Sequence, residues 1–202
     1  MSSGITHVFF DIGGVLGSNG WDREQRQRAV AHFHLDDEFE RRHEEVVGEW
    51  ETGRISLDEY LESVVFFRPR KFCPGDFTAF MLEQSTPDVE AIDVVRDLAR
   101  ERRVRLLTLN NEAEALNRHR IETFGLRDLF EAFLSSCWLG VRKPSRAIFE
   151  RALGIAGVEP RAALFVDDRE QNLAPAHTLG FETFLFTGAA ALREELEERS
   201  LI

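Results

Sequence analysis

Four short segments of this chain end apolar runs in side chains that could handle a phosphate group. Asp11 closes the run Thr6-His7-Val8-Phe9-Phe10 and stands just before Gly13 and Gly14. A carboxylate there sits at the mouth of a buried strand, on a turn loose enough for a ligand to approach the backbone. Thr108-Leu109-Asn110-Asn111 ends a second run, and its amides could hold phosphate oxygens. Gly140-Val141-Arg142-Lys143-Pro144 brings an ammonium just before a helix. Leu164-Phe165-Val166-Asp167-Asp168 ends in paired acids, which are costly beside an apolar strand unless a cation or hydrogen bonds compensate. Each segment alone reads equally well as a turn, a cap or a solvated loop. Together, in this order, they describe one site: a carboxylate nucleophile, a divalent cation bridging it to phosphate, acids to hold the cation, and an ammonium to neutralise developing charge.

The elements that must position these groups follow from periodicity. Strands are expected at Val104 to Leu109, Ala132 to Cys137, Ala162 to Val166 and Phe181 to Phe186. Between them the helical period runs over Glu112 to Phe124, over Ser145 to Leu153 with a serine cap, from about Gln171 to Leu179, and over Ala189 to Arg199. Alternation of this kind predicts an α/β fold: a Rossmann-like parallel sheet with helices on both faces. From Trp21 to about Arg100 the pattern is helical and rich in charge, with Asp88 to Arg100 returning to the sheet. The expected organisation is therefore a core of residues 1–16 and 85–202 with an α-helical insertion at 17–84. The insertion follows Asp11 directly, so it should sit above the carboxyl edge of the sheet, where such sheets bind ligands.

Bulk composition narrows the partners. A formal net charge of −11 argues against nucleic acid and anionic membranes. A small anionic substrate is still compatible, because a lysine and a divalent cation reverse the field inside one cleft. Of the 25 basic residues only Lys71 and Lys143 are lysine, so a compact ammonium at either position stands out. No apolar run approaches the ~18 residues that cross a bilayer. Cys73 and Cys137 lack metal-ligand spacing and fit free thiols in a reducing cytoplasm. His32 and His34, two apart on a helical pattern, face different directions and make a poor metal pair. Phe33, Phe39, Phe66 and Phe67 read mainly as packing within the insertion, with some available to a substrate chamber.

The four segments closely resemble the four motifs of the haloacid dehalogenase-like hydrolase superfamily, across essentially the whole chain. FFDIGGVL is similar to its first motif, LTLNNE to the second, GVRKP to the third and FVDDREQN to the fourth. The insertion resembles a C1 cap. Within it Trp50-Glu51-Thr52-Gly53-Arg54 and its continuation to Tyr60 are similar to a segment of the subgroup holding epoxide-hydrolase phosphatase domains and bacterial sugar-phosphate phosphatases. The resemblance implies a Mg²⁺-dependent phosphatase acting on a small phosphorylated metabolite. Asp11 would be the nucleophile that becomes aspartyl-phosphate, and a metal ligand. Thr108, Asn110 and Asn111 are the candidates for holding phosphate, Asn110 first. Lys143 would pair with nucleophile and phosphate. Asp167 and Asp168, with the Gly13 carbonyl, would complete the metal site.

Two departures from the pattern shape the functional reading. The second motif usually has Ser or Thr directly before its Asn, and here Leu109 stands there, with Thr108 one residue earlier. Gly13 replaces the aspartate that normally protonates the leaving group, a service worth ~10²–10⁴-fold in rate. The expected consequences, in order, are preference for good leaving groups or recruitment of another acid such as Asp22, then slow turnover, then an inactive phosphate-binding relative. A 2-haloacid dehalogenase and a C–P bond hydrolase are the alternatives that also dispense with that aspartate. The latter would need Lys71 for a Schiff base.

Overall fold

The computed structural model describes residues 4–202. Its core strands are β1 (His7–Phe10), β2 (Arg105–Asn110), β3 (Ala132–Ser135), β4 (Ala163–Asp167) and β5 (Glu182–Leu185). The helices are α1 (Arg23–Phe33), α2 (Phe39–Glu51), α3 (Leu57–Val64), α4 (Pro74–Glu83), α5 (Val89–Glu101), α6 (Glu114–Thr123), α7 (Ser136–Leu139), α8 (Arg146–Ala156), α9 (Glu170–Leu179) and α10 (Ala189–Glu198). All pairings in the sheet are parallel, in the order β3-β2-β1-β4-β5, so the strand ending at Asp11 is central.

Strand alternation sorts the core into two layers. Val8, Phe10, Leu164 and Val166 point into one cluster, filled by α5 and α10 through Val95, Leu98, Leu192 and Leu196. Phe9, Leu107, Leu109 and Phe165 point into the other, filled by α8 and α9 through Phe149, Ala152, Leu173 and Ala176. Both faces are thereby covered, which is why β1 and β4 read as continuous apolar runs.

The helical segment α1–α4 builds a third cluster around Phe39, Trp50, Tyr60, Phe77 and Met81, and this cluster also takes in Ala113 and Leu116 at the start of α6. Its exit and return lie side by side. Ser18 donates its amide to Thr86 O at 2.8 Å and its hydroxyl to Gln84 O at 2.8 Å, and its hydroxyl accepts the Thr86 amide at 3.0 Å. Capping fixes the helices that frame it. Ser56 and Glu59 form a reciprocal capping box on α3, and Asp88 accepts the Ala91 amide at 3.0 Å to start α5.

Two local expectations need correction. The strand expected to reach Cys137 stops at Ser135, and Ser136–Leu139 is a helical turn closed by Gly140 in the left-handed region. The Ser136 hydroxyl accepts the Glu112 amide at 3.0 Å and donates to Glu51 O at 2.6 Å, a tertiary contact that outweighs strand propensity. Ser145 does occupy the cap position of α8, but its side chain makes no capping hydrogen bond.

Candidate active site

The carboxyl ends of β1, β2 and β4 converge with the loop before α8. Asp11 follows β1, and its amide donates to Val166 O at 2.9 Å, locking it to β4. Its Oδ1 accepts the Ile12 amide at 2.8 Å, and its Oδ2 lies 3.0 Å from Lys143 Nζ. The same ammonium donates to Asp167 Oδ2 at 2.7 Å. Asp167 is further held by the Arg169 amide at 2.9 Å and by the Asn172 amide group at 3.0 Å and 3.1 Å. Lys143 is itself fixed through its main chain: Asn111 accepts its N–H at 2.7 Å and donates to its carbonyl at 2.9 Å.

Charge explains what this set lacks. Burial pushes the Asp11 carboxyl up to about 7, against the pull of Lys143 and with the push of Asp167. Burial and Asp167 also raise Asp168. Lys143 stays protonated because Asp11 and Asp167 outweigh its desolvation. Asp11 and Asp167 thus share one ammonium, while Asp168 lies 3.9 Å from the Arg169 guanidinium and its Oδ1 is buried without a hydrogen-bond partner. Asp11, Asp167 and Asp168 each offer an oxygen within 4.8 Å of the others, the one such grouping among the described residues. Hard oxygen donors in excess of positive charge suit a divalent cation such as Mg²⁺. Gly14 makes room for that arrangement. At φ +76° it adopts a conformation that other residues resist, and a Cβ there would fall 2.2 Å from Asp168 Oδ2.

Above these groups lies a cavity of about 320 Å³ between the sheet edge and the helical segment. Asp11, Gly13, Asn111 and Lys143 line it from the core, and Trp21, Arg26, His43 and Trp50 from the helical side. Thr108 and Asn110 do not line it. Both are buried, on one side of β2 as alternation requires, and Thr108 Oγ1 and Asn110 Oδ1 have no partner. Asn110 donates to Asn117 Oδ1 at 2.9 Å. Of the second-motif candidates, Asn111 alone reaches the cavity wall, with its side chain already engaged by Lys143.

Several sequence readings fall elsewhere. Asp22 lines the cavity, yet the Arg23 amide and Arg169, at 2.6 Å, outweigh its burial and hold its carboxyl below the usual range. It is therefore a poor proton donor. Lys71 is exposed in a separate open groove with Phe33, Phe72 and Phe80. None of Phe33, Phe39, Phe66 and Phe67 lines the Asp11 cavity. Phe67 is not packing at all: it is 49% exposed beneath the guanidinium groups of Arg42, Arg68 and Arg70. His32 stacks on Phe80, while His34 caps α1 in the left-handed region.

Comparison with known proteins settles the lineage. Residues 5–180 match the family model described as haloacid dehalogenase-like hydrolase. The chain belongs to the haloacid dehalogenase-like hydrolase family. Among relatives of this hydrolase, D-ribitol-5-phosphate phosphatase of Bacteroides thetaiotaomicron is 27% identical over 95% of the chain and 97% of its own length. A phosphatase of Mycobacterium tuberculosis is 28% identical over 94% and 91%. A HAD-family enzyme of B. thetaiotaomicron, solved with magnesium and inorganic phosphate, superposes with a TM-score of 0.76 over 90% of this chain and 93% of that one, at 23% identity. L-2-haloacid dehalogenase of Xanthobacter autotrophicus shares the fold at a TM-score of 0.65, with 20% identity over 98% and 84%.

The site residues named from the motifs did not include the buried Arg120 or its partner Glu112, both in the cavity wall. Arg120 is 1% exposed, with Nη1 3.3 Å from Glu112 Oε2. Glu112 is the last residue of LTLNNE, the segment similar to the second motif, so its place beside the site was legible. Arg120 lies four residues after Leu116 and four before Phe124, on the buried stripe of α6, so the helical period turns it inward although its charge argues against burial.

Proposed function

We propose that this hydrolase is a Mg²⁺-dependent phosphomonoesterase that cleaves a small, polar phosphate ester through an aspartyl-phosphate on Asp11. The observation that carries the reading is that Asp11 and Asp167 meet on Lys143, with Asp168 grouped beside both acids, next to a cavity that Asp11 and Lys143 line. Mg²⁺ would be held by Asp11, Asp167, Asp168 and the Gly13 carbonyl, and when bound it supplies charge neutralisation at nucleophile and phosphate. Asp11 Oδ2 attacks phosphorus. Lys143 keeps that oxygen aimed and offsets charge on the transferring group, while the Asn111 clamp holds the loop of Lys143. Thr108 and Asn110 remain candidates for holding phosphate, Asn110 first, with Thr108 Oγ1 unpartnered and the Asn110 amide group engaged by Asn117.

Residues 17–84 act as a cap that admits substrate and controls water, with its hinge at the paired crossing of Ser18 and Thr86. A cavity of about 320 Å³ is near the lower end of ligand sites, which favours a substrate of metabolite size. Arg26, Arg142 and Arg169 in its wall suit an anionic, hydroxylated ester of the kind named for the ribitol phosphate relative. The free thiols Cys73 and Cys137 fit a cytoplasmic setting. Lys71, outside the cavity, does not serve a C–P bond hydrolase. Phosphate release should be screened over polyol, sugar and aryl phosphates with and without Mg²⁺, with halide release from 2-haloacids assayed in parallel. Mg²⁺-dependent phosphate release supports the reading, and metal-free halide release alone refutes it.

A further inference from the structure

The space left open at Gly13 is not empty. A Cβ built there would point at Arg120 Nη1, 3.3 Å away, and at Asn19 Oδ1, 3.4 Å away. Gly20 is cut back for the same guanidinium. At φ +68° it would place a Cβ 1.5 Å from Arg120 Nη2, so a side chain at position 20 and Arg120 exclude each other. Arg120 is anchored by Nε on Ser85 Oγ at 3.2 Å, and its Nη2 is buried without a partner. Beside it stands Glu112, whose main chain is pinned on both sides. Its amide donates to Ser136 Oγ at 3.0 Å and its carbonyl accepts Ser135 Oγ at 3.3 Å. This carboxyl, 8% exposed and in the same cavity wall as Asp11, Gly13 and Lys143, has no task in the chemistry described above.

We propose that Glu112, set in place by Arg120, is the catalytic acid and base that serves the leaving group in place of the aspartate absent at position 13. The proposal rests on the phosphatase reading. In the first step Asp11 Oδ2 forms a bond to phosphorus, the ester P–O bond breaks, and the Glu112 proton passes to the departing oxygen to give the alcohol. In the second step the Glu112 carboxylate takes a proton from water as that water bonds to phosphorus. The P–O bond to Asp11 then breaks, and inorganic phosphate leaves with Asp11 and Glu112 restored. The surroundings suit both duties. Burial raises the carboxyl and Arg120 lowers it, Glu51 at the end of α2 raises it, and the Ala113 amide lowers it, leaving it at about 7. Arg142, from the loop before α8, pairs with Glu51 at 2.9 Å. A group poised there at neutral pH serves proton transfer in either direction.

The test is a leaving-group series: glycerol phosphate, phenyl phosphate and p-nitrophenyl phosphate, measured with native protein, Glu112→Gln and Glu112→Asp at saturating Mg²⁺. Glutamine keeps the shape and an oxygen for Arg120 but carries no acidic proton. The expected result is a loss of ~10²–10³-fold in kcat for glycerol phosphate and less than ~10-fold for p-nitrophenyl phosphate, with partial recovery in Glu112→Asp. The native enzyme should then depend only weakly on leaving-group acidity, unlike the steep dependence that Gly13 alone implies. Equal losses across the series, or none, overturn the proposal and reduce Glu112 to a partner for Arg120. Inorganic phosphate binding, followed by thermal shift, checks that each variant is folded; a variant that fails it is replaced by Arg120→Lys, which must steepen the same series. If the native protein hydrolyses none of the three esters, the phosphatase reading falls first and this proposal with it.

Discussion

Replacing Asp11 by asparagine should abolish turnover and yet stabilise the metal-free protein. The two side chains are nearly isosteric, and the asparagine would keep the acceptor for the Ile12 amide now made at 2.8 Å. What changes is charge. Moving a carboxyl from 3.8 to about 7 means that ionising Asp11 in the fold costs roughly 4 kcal/mol, at 1.36 kcal/mol per pH unit. Below pH 3.8 the group is protonated in both folded and unfolded chains, so native and variant should have matching stability. Between there and about 7 the unfolded chain has released a proton that the folded chain still holds, and native stability falls as pH rises. Above about 7 the deficit is constant. Urea unfolding in EDTA, repeated from about pH 4 to about pH 8.5, should show the variant's advantage opening through that window to about 3–4 kcal/mol. For a chain of this size that is a Tm difference of ~6–15 °C. Mg²⁺ at ~100 times its Kd returns about 2.7 kcal/mol to the native protein and much less to the variant. A variant equal to or less stable than native at about pH 8 in EDTA would refute the claim that burial and the neighbouring Asp167 outweigh Lys143 at Asp11.

Two further substitutions probe the same cluster from other sides. Lys143→Met removes the cation paired with Asp11 and Asp167, so the variant should lose ~3–5 kcal/mol in EDTA at about pH 8 and regain most of it with Mg²⁺, read by urea unfolding. Unchanged stability in EDTA would contradict that pairing. Gly14→Ala drives a methyl into the Asp168 carboxylate and forces a left-handed backbone costing ~1–2 kcal/mol. Calorimetric titration should show Mg²⁺ affinity reduced at least ~10-fold, and native-like affinity would remove Asp168 from the metal site.

The course of the sheet was legible in linear order because its central strands β1 and β4 are buried on both faces and read as apolar runs. The interruptions that end β1, β2 and β4 are therefore conspicuous, and Asp11, Asn110, Asp167 and Asp168 could be found as polar residues where hydrophobic runs stop. Lys143 was legible for another reason: it is one of two lysines in an arginine-rich chain. The helical turn at Ser136 was not, since it exists to bond Glu112 and Glu51, residues 24 and 85 positions away.

The amino-acid order by itself determined the family of this protein: the motifs, their sequence and the glycine at position 13 are all read along the chain. Tertiary structure alone decided what stands in that glycine's place. Arg120 comes from a helix far along the chain, and its inward course depends on room left at Gly13 and Gly20, on Ser85, and on Glu112. The helical period turns Arg120 inward, but no local pattern tells which groups it meets there. Such a contact arises only when separate elements pack, because a buried guanidinium is stable where several distant groups jointly give it space, hydrogen bonds and a countercharge.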